Sequence, residues 1–160
     1  MPRSKTIIKR QAIPDPIYNS RLVTKLINKA MKDGKKSSAA TQIYNALETL
    51  KTKMPDQDPA KTLETVIATI APKMEVRSRR VGGASYQVPS EVRGDRKNHL
   101  ALKWLLEAAR ARPNKEFHTF SEKLVVEIND ALAGTGNAIK KRDMVQKMAE
   151  ANKVFSHLKW

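Results

Sequence analysis

Three arginines fall within four positions, Arg77, Arg79 and Arg80, and the chemistry such a cluster offers is recognition of phosphate. A guanidinium is a planar fork of donors that pairs with two phosphate oxygens at once. Arg93, Arg96 and Lys97 continue the cluster, and Tyr86 lies between the two groups, able to stack on a base or to pack at its own element's root. Three more cationic groups repeat the theme. Arg3, Lys5, Lys9 and Arg10 open the chain, Lys32, Lys35 and Lys36 follow, and Lys140, Lys141 and Arg142 come near the end.

No spacing points to catalysis. His99, His118 and His157 are scattered and lack the separation of zinc ligands. Gly34-Lys35-Lys36 only superficially matches a phosphate-binding loop, which needs glycine where Lys29 stands and Ser or Thr where Lys36 stands. Gly134 and Gly136 lack the third glycine of a dinucleotide fingerprint, having Ile139 there. The carboxylates mostly lie within four residues of Lys or Arg, as on solvated helix faces. We therefore expect no catalytic residue, no metal, no cofactor and no small-molecule substrate.

The charge balance agrees with phosphate. Lys and Arg number 31 against 16 for Asp and Glu, a formal +15 over 160 residues. So large an excess destabilises a compact monomer through self-repulsion, and an anionic partner relieves it. No stretch approaches the ~18 apolar residues of a membrane span, and no long apolar run follows the basic N-terminus. Aromatic residues are only 5% of the chain, too few for a single-strand binder built on stacking platforms. Phosphate contacts to a folded RNA are the expectation, with shape supplying much of the specificity. The alternative is a nonspecific DNA-binding architectural protein. Such arms favour an apolar wedge, and the Arg80–Ala84 tip offers only Val81.

Stepping along the chain shows what positions these groups. Residues 1–19 have no helical period and are broken by Pro14 and Pro16, so they read as an extended basic arm. Residues 20–160 read as a single helical domain. Leu22, Val23, Leu26, Ile27, Ala30 and Met31 form one stripe, with Gly34 at the place of a C-terminal cap. Ala40, Ile43, Tyr44, Leu47 and Leu50 form a second, antiparallel to the first across the short link. Asp58-Pro59 caps a third helix carrying Leu63, Val66, Ile67 and Ile70. At about 73–89 the period changes to two around Gly82-Gly83, which predicts a hairpin. A ribbon with few core-sized residues near its tip has little reason to protrude unless it touches a partner.

Three further stripes follow. Leu100, Ala101, Trp104, Leu105 and Ala108 line the fourth helix; Phe117, Phe120, Leu124, Val125, Ile128 and Leu132 the fifth; Met144, Met148, Ala151 and Phe155 the sixth. All are expected to face the core. Lys140, Lys141 and Arg142 then fall in the first turn of the last helix, where cations oppose the helix dipole. A phosphate there would satisfy both the lysines and the free backbone N–H groups. The fold class expected is mainly α: six helices, a protruding two-stranded β-ribbon and a basic extended N-terminal arm.

Several of these segments together resemble the bacterial-type small-subunit ribosomal protein seven family. The residues that carry the likeness are Arg77-Ser78-Arg79-Arg80-Val81-Gly82-Gly83-Ala84-Ser85-Tyr86-Gln87-Val88-Pro89, Asp33-Gly34-Lys35-Lys36, Gly134-Thr135-Gly136 with Lys140-Lys141-Arg142, and Met148-Ala149-Glu150-Ala151-Asn152 with Phe155 and Trp160. It runs nearly from end to end. One departure is Gln42-Ile43, where the family usually places two aliphatic residues, which puts the packing at position 42 in question. The resemblance implies binding to the 3′ major domain of small-subunit rRNA, early enough for the subunit's head to form around the protein. It implies head proteins and one platform protein as neighbours, and a ribbon near exit-site tRNA and mRNA. The resemblance leaves open repression of the protein's own operon message, and the lack of a transit-like leader favours a cytoplasmic ribosome over an organellar one.

Overall fold

The computed structural model describes residues 11–55 and 57–158. Among them are six α-helices, a two-stranded antiparallel ribbon and a C-terminal 3-10 helix: α1 (Arg21–Ala30), α2 (Lys36–Lys53), α3 (Pro59–Ile70), β1 (Met74–Val81), β2 (Ala84–Glu91), α4 (Gly94–Ala111), α5 (Phe120–Leu132), α6 (Asn137–Ala151) and the 3-10 turn at Lys153–Leu158. Arg3, Lys5, Lys9 and Arg10 lie outside the described residues.

Capping chemistry sets most of the boundaries. Ser20 accepts the Leu22 N–H, and Asp58 accepts the Ala60 N–H with Pro59 at the first helical position. Thr119 and Glu122 form a reciprocal capping box on α5. One expectation fails at the end of α1. The helix stops at Ala30, before Gly34, because Arg110 of α4 donates to the Ala30 carbonyl at 2.9 Å and relieves the need for a glycine cap. Asp33 and Gly34 form the turn into α2 instead, closed by the Lys35 N–H on the Lys32 carbonyl at 3.0 Å.

The core is apolar and central. Leu26, Ile43, Leu47, Leu50, Leu63, Ile67, Ile70, Leu105, Leu106, Leu124 and Ile128 are fully buried. Helix α5 packs against α2, α3, α4 and α6, and α1 closes the opposite side against α2, α3 and α4. Two of the expected stripes are wrong in part. Met144 and Met148 are exposed at 56% and 49%, and α6 instead buries Ala138, Ile139 and Ala149. The small alanines let α6 approach closely, so a face roughly 140° round the helix from the methionines, at about 100° per residue, goes inward. Phe117 lies in the loop before α5, with the Arg112 guanidinium 5.9 Å from its ring centroid, and Leu132 is left partly exposed, at 38%.

The ribbon pairs Met74 with Glu91 at its root and Val81 with Ala84 at its tip. Gly82 and Gly83 have φ of +58° and +89°, the positive pair a tight hairpin turn demands. Pro89 sits within β2, tolerated because both strands of a two-stranded ribbon are edges. The ribbon does not stand alone: α6 packs on β1 and β2, and the 3-10 helix lies along β2. Between them the Tyr86 and Phe155 rings meet with centroids 5.4 Å apart.

The stretch before α1 is ordered locally by one carboxylate. Asp15, only 4% exposed, accepts the Ile17 and Tyr18 N–H groups through Oδ2, both at 3.1 Å. Its Oδ1 accepts the Tyr44 hydroxyl at 2.6 Å. The Thr24 hydroxyl also donates to the Ile13 carbonyl. The described part of the N-terminal segment is thus pinned to α1 and α2.

Candidate nucleic-acid interface

Two grooves meet on one side of the molecule. Arg77 and Arg79 of β1, Arg93 before α4 and Arg96 in its first turn line the first, with Val88, Ser90 and Glu91. Arg21, Lys25 and Lys29 of α1 line the second, facing Asp95, Arg96 and His99 of α4. Arg96 belongs to both, so the ribbon's arginines and the cations of α1 form a continuous basic surface.

Local structure explains the alignment. Residues 21, 25 and 29 recur every four positions and so share one helix face, opposite the buried Val23, Leu26 and Ile27. On α4, Arg96, His99 and Lys103 recur at the same kind of spacing. Burial, then Lys29, Arg96 and Lys103, hold the His99 imidazole below its ordinary value. Arg21, Lys25 and Lys29 were not singled out in the sequence. The signal was there, in a helix with cations at every fourth residue and no acid.

Not every arginine is available in the same way. Glu75, at the ribbon's root and 7% exposed, takes Arg77 Nε at 2.7 Å on one oxygen and Arg96 Nε and Nη2 at 3.2 Å on the other. Burial pushes this carboxyl up, but the bonds from Arg77 and Arg96 outweigh it and hold it below the ordinary carboxylate range. Both arginines remain about half exposed, so each keeps donors for a second acceptor. Arg80 is exposed near the tip and Arg79 is half-buried. Tyr86 stands opposite Arg79 in the register with its ring against Phe155. Lys97, half-buried on α4, lines neither groove.

The Lys32, Lys35 and Lys36 group is exposed at the α1–α2 turn. Lys35 is the N-cap residue of α2 and makes no side-chain cap, and Lys36 is the first helical residue. These two cations therefore sit at a helix N-terminus, the end the dipole disfavours. Lys32 and Lys35 share a shallow depression with Arg110 and Phe120. Beside it, Gln42 reaches α5, its Oε1 accepting the Ser121 N–H at 3.2 Å. The amide thus serves a free backbone donor at a helix start, where an aliphatic residue would serve none.

The group at α6 separates. Lys140 and Lys141 are exposed. Arg142 turns inward and donates from Nη1 to the Thr69 carbonyl at 2.7 Å and from Nε to Asp143 at 2.7 Å. Because α6 begins at Asn137, the three cations lie beyond its first turn. Its N-terminus is already served by protein. Glu127, fully buried, accepts the Ala138 N–H at 2.9 Å on one oxygen and Arg112 at 2.6 Å on the other. A phosphate expected at that end would have to displace this carboxylate, so the expectation is corrected. Gly136, at φ +96°, lets the chain pass; a Cβ there would meet the Glu127 carboxylate at 3.0 Å.

Among the described residues no cluster of three or more His, Asp or Glu is arranged to hold a metal ion, and no helix is long and apolar enough to cross a membrane.

Comparison with known proteins gives a consistent answer. A family model described as Ribosomal protein S7p/S5e matches residues 2–153. The chain is 49% identical over 160 residues to the small ribosomal subunit protein uS7 of Pelotomaculum thermopropionicum, covering all of both chains. It is 48% identical, again over the whole of both chains, to the proteins of that name from Heliobacterium modesticaldum and Streptococcus uberis. With a family match across nearly the whole chain and full-length relatives at this identity, the chain belongs to the ribosomal protein S7p/S5e family.

Proposed function

We propose that the chain is a primary rRNA-binding protein that binds the 3′ major domain of small-subunit rRNA and nucleates assembly of the subunit's head. Membership of its family makes it a structural, non-enzymatic constituent of the small ribosomal subunit; the RNA domain and the assembly role are inferred. The observation that carries it is Arg96, shared between the ribbon groove and the α1–α4 groove, which makes one continuous cationic surface where the sequence offers separate clusters.

In this reading the RNA contacts fall on Arg77, Arg79, Arg80, Arg93 and Arg96, with Lys32, Lys35, Lys36, Lys97, Lys140 and Lys141 at its margins, and with Arg21, Lys25 and Lys29 added from the geometry. Arg3, Lys5, Lys9 and Arg10 form an arm within residues 1–19 that orders on RNA, and residues 20–160 act as one binding domain. Tyr86 and Arg142 act chiefly inside the protein. Binding rests on neutralised phosphates and on the fixed spacing of ribbon and helices, which selects RNA shape. Neighbouring head proteins, one platform protein, and exit-site tRNA and mRNA near the ribbon complete the proposed setting, on a cytoplasmic ribosome.

The test is a salt titration of binding to the isolated 3′ major domain, beside a length-matched unrelated RNA and a DNA duplex. A cognate advantage of roughly a thousandfold at physiological salt supports the assignment. Three ligands that bind alike and weaken together with salt would replace it with nonspecific nucleic-acid binding.

A further inference from the structure

His99 projects from α4 into the cleft that α1 closes, and its Nε2 lies 3.3 Å from Lys29 Nζ. An ammonium has only donors, so this contact is a hydrogen bond only while Nε2 carries no proton. Protonating it would set two cations against each other. The charged groups around it come from both walls: Arg21, Lys25 and Lys29 on α1, and Asp95, Arg96 and Lys103 on α4. Gln11 and Ala12 of the N-terminal segment line the cleft without charge. Among the described lining residues the carboxylate is that of Asp95, which lies 3.0 Å from Lys25, and cations outnumber it. Partial burial of the imidazole, and then these cations, favour neutral His99 in the unliganded cleft.

An anion reverses that balance. A phosphate oxygen placed between Lys29 and the imidazole accepts from both once Nε2 is protonated, and its charge offsets the repulsion that kept the proton away. We propose that His99 couples uptake of a proton to phosphodiester binding in the α1–α4 cleft, so that RNA is held more tightly as the pH falls. The inference rests on the RNA-binding reading above and adds regulation to the same surface. The proton comes from solvent, and linkage requires that whatever raises the affinity of His99 for it raises the affinity for RNA equally.

The experiment is binding of the full chain to the isolated 3′ major domain of small-subunit rRNA at fixed ionic strength, between about pH 5.5 and 8, with wild type beside His99→Gln. The wild type gains affinity on acidification by up to about tenfold per pH unit, and the variant loses that slope. Titration of the RNA itself, or of His118 and His157, enters both proteins alike and cancels in the difference. Tight cognate binding with equal slopes in the two proteins overturns the proton linkage and leaves the RNA reading standing; no cognate preference at any pH overturns both. His99 is exposed, so the variant's thermal midpoint stays near that of the wild type. A second readout needs no variant: the His99 ring signal in an NMR titration moves its midpoint to higher pH when a short oligoribonucleotide is added, and an unmoved midpoint rejects the proposal.

Discussion

Arg96 donates from Nε and Nη2 to a single oxygen of Glu75, both at 3.2 Å, which ties the first turn of α4 to the root of the ribbon. With Arg77 on the other oxygen, one buried carboxylate holds an arginine from each of the two elements that form the basic surface. The root of the ribbon is thereby tied to the first turn of α4 at the centre of the basic surface.

Glu75→Gln tests that tie. The arginines are half exposed and stay hydrated when the carboxylate is lost, so the cost is about 1 kcal/mol and not the larger penalty of a stranded buried charge. The native carboxyl titrates below its ordinary value of 4.5. Its contribution is therefore complete above that value and is lost as the pH falls through the lower folded one. Urea melts at neutral pH and at acid pH should show the wild-type advantage over Glu75→Gln shrinking on acidification.

Arg142 and its neighbours should part company. Arg142→Ala removes the bond to the Thr69 carbonyl that joins α6 to the last turn of α3, at a cost of about 1–2 kcal/mol. Lys140→Ala and Lys141→Ala leave the thermal midpoint unchanged. If these lysines meet phosphate, each lowers the salt slope of RNA binding by about one. Melting and salt titration of the same three variants decide between the two roles.

Arg79→Ala with Arg80→Ala weakens rRNA binding while thermal stability barely moves. The equivalent change on α1, Lys25→Ala with Lys29→Ala, weakens it comparably, because Arg79 on one side and Lys25 and Lys29 on the other line the two grooves that Arg96 joins. Equal affinity at matched salt for either double variant would remove that element from the interface.

Tyr44 carries the signature of the N-terminal anchor. Its hydrogen bond to Asp15, then burial, push its hydroxyl up to about 12 from 10.0. Stability from this bond is complete below pH 10 and declines as the pH rises towards 12, because only the unfolded tyrosine ionises readily in that interval. Asp15→Asn should bring one tyrosine back towards the ordinary range in an ultraviolet pH titration. The segment before α1 should then become more susceptible to limited proteolysis.

Most local elements were legible in the sequence. Capping residues such as Ser20, Asp58 and Thr119, the Gly82-Gly83 turn, and the change of period from 3.6 to 2 are local signals, and they place six helices and the ribbon, although α1 stops short of Gly34 and the C-terminal 3-10 helix gave no such signal. Cationic clusters were equally readable, since charge is carried by residue type. Which side chains are paired inside the protein, and which line a groove, depends on the packing of elements distant in sequence. Arg142 and Tyr86 read as binding residues in the sequence, and the fold also gives each a partner inside the protein, on α3 and on the C-terminal 3-10 helix. Arg21, Lys25 and Lys29 become one wall of a groove only because α4 lies opposite them. Met144 and Met148 carry the right period for a core, but periodicity does not choose between two apolar faces; close packing against α3 and α4 chose the one with alanine. The same physics separates the two lists. Backbone conformation responds to neighbours a few residues away, whereas burial, pairing and field at a side chain come from elements distant in sequence, as Glu75 and Arg96 do for each other.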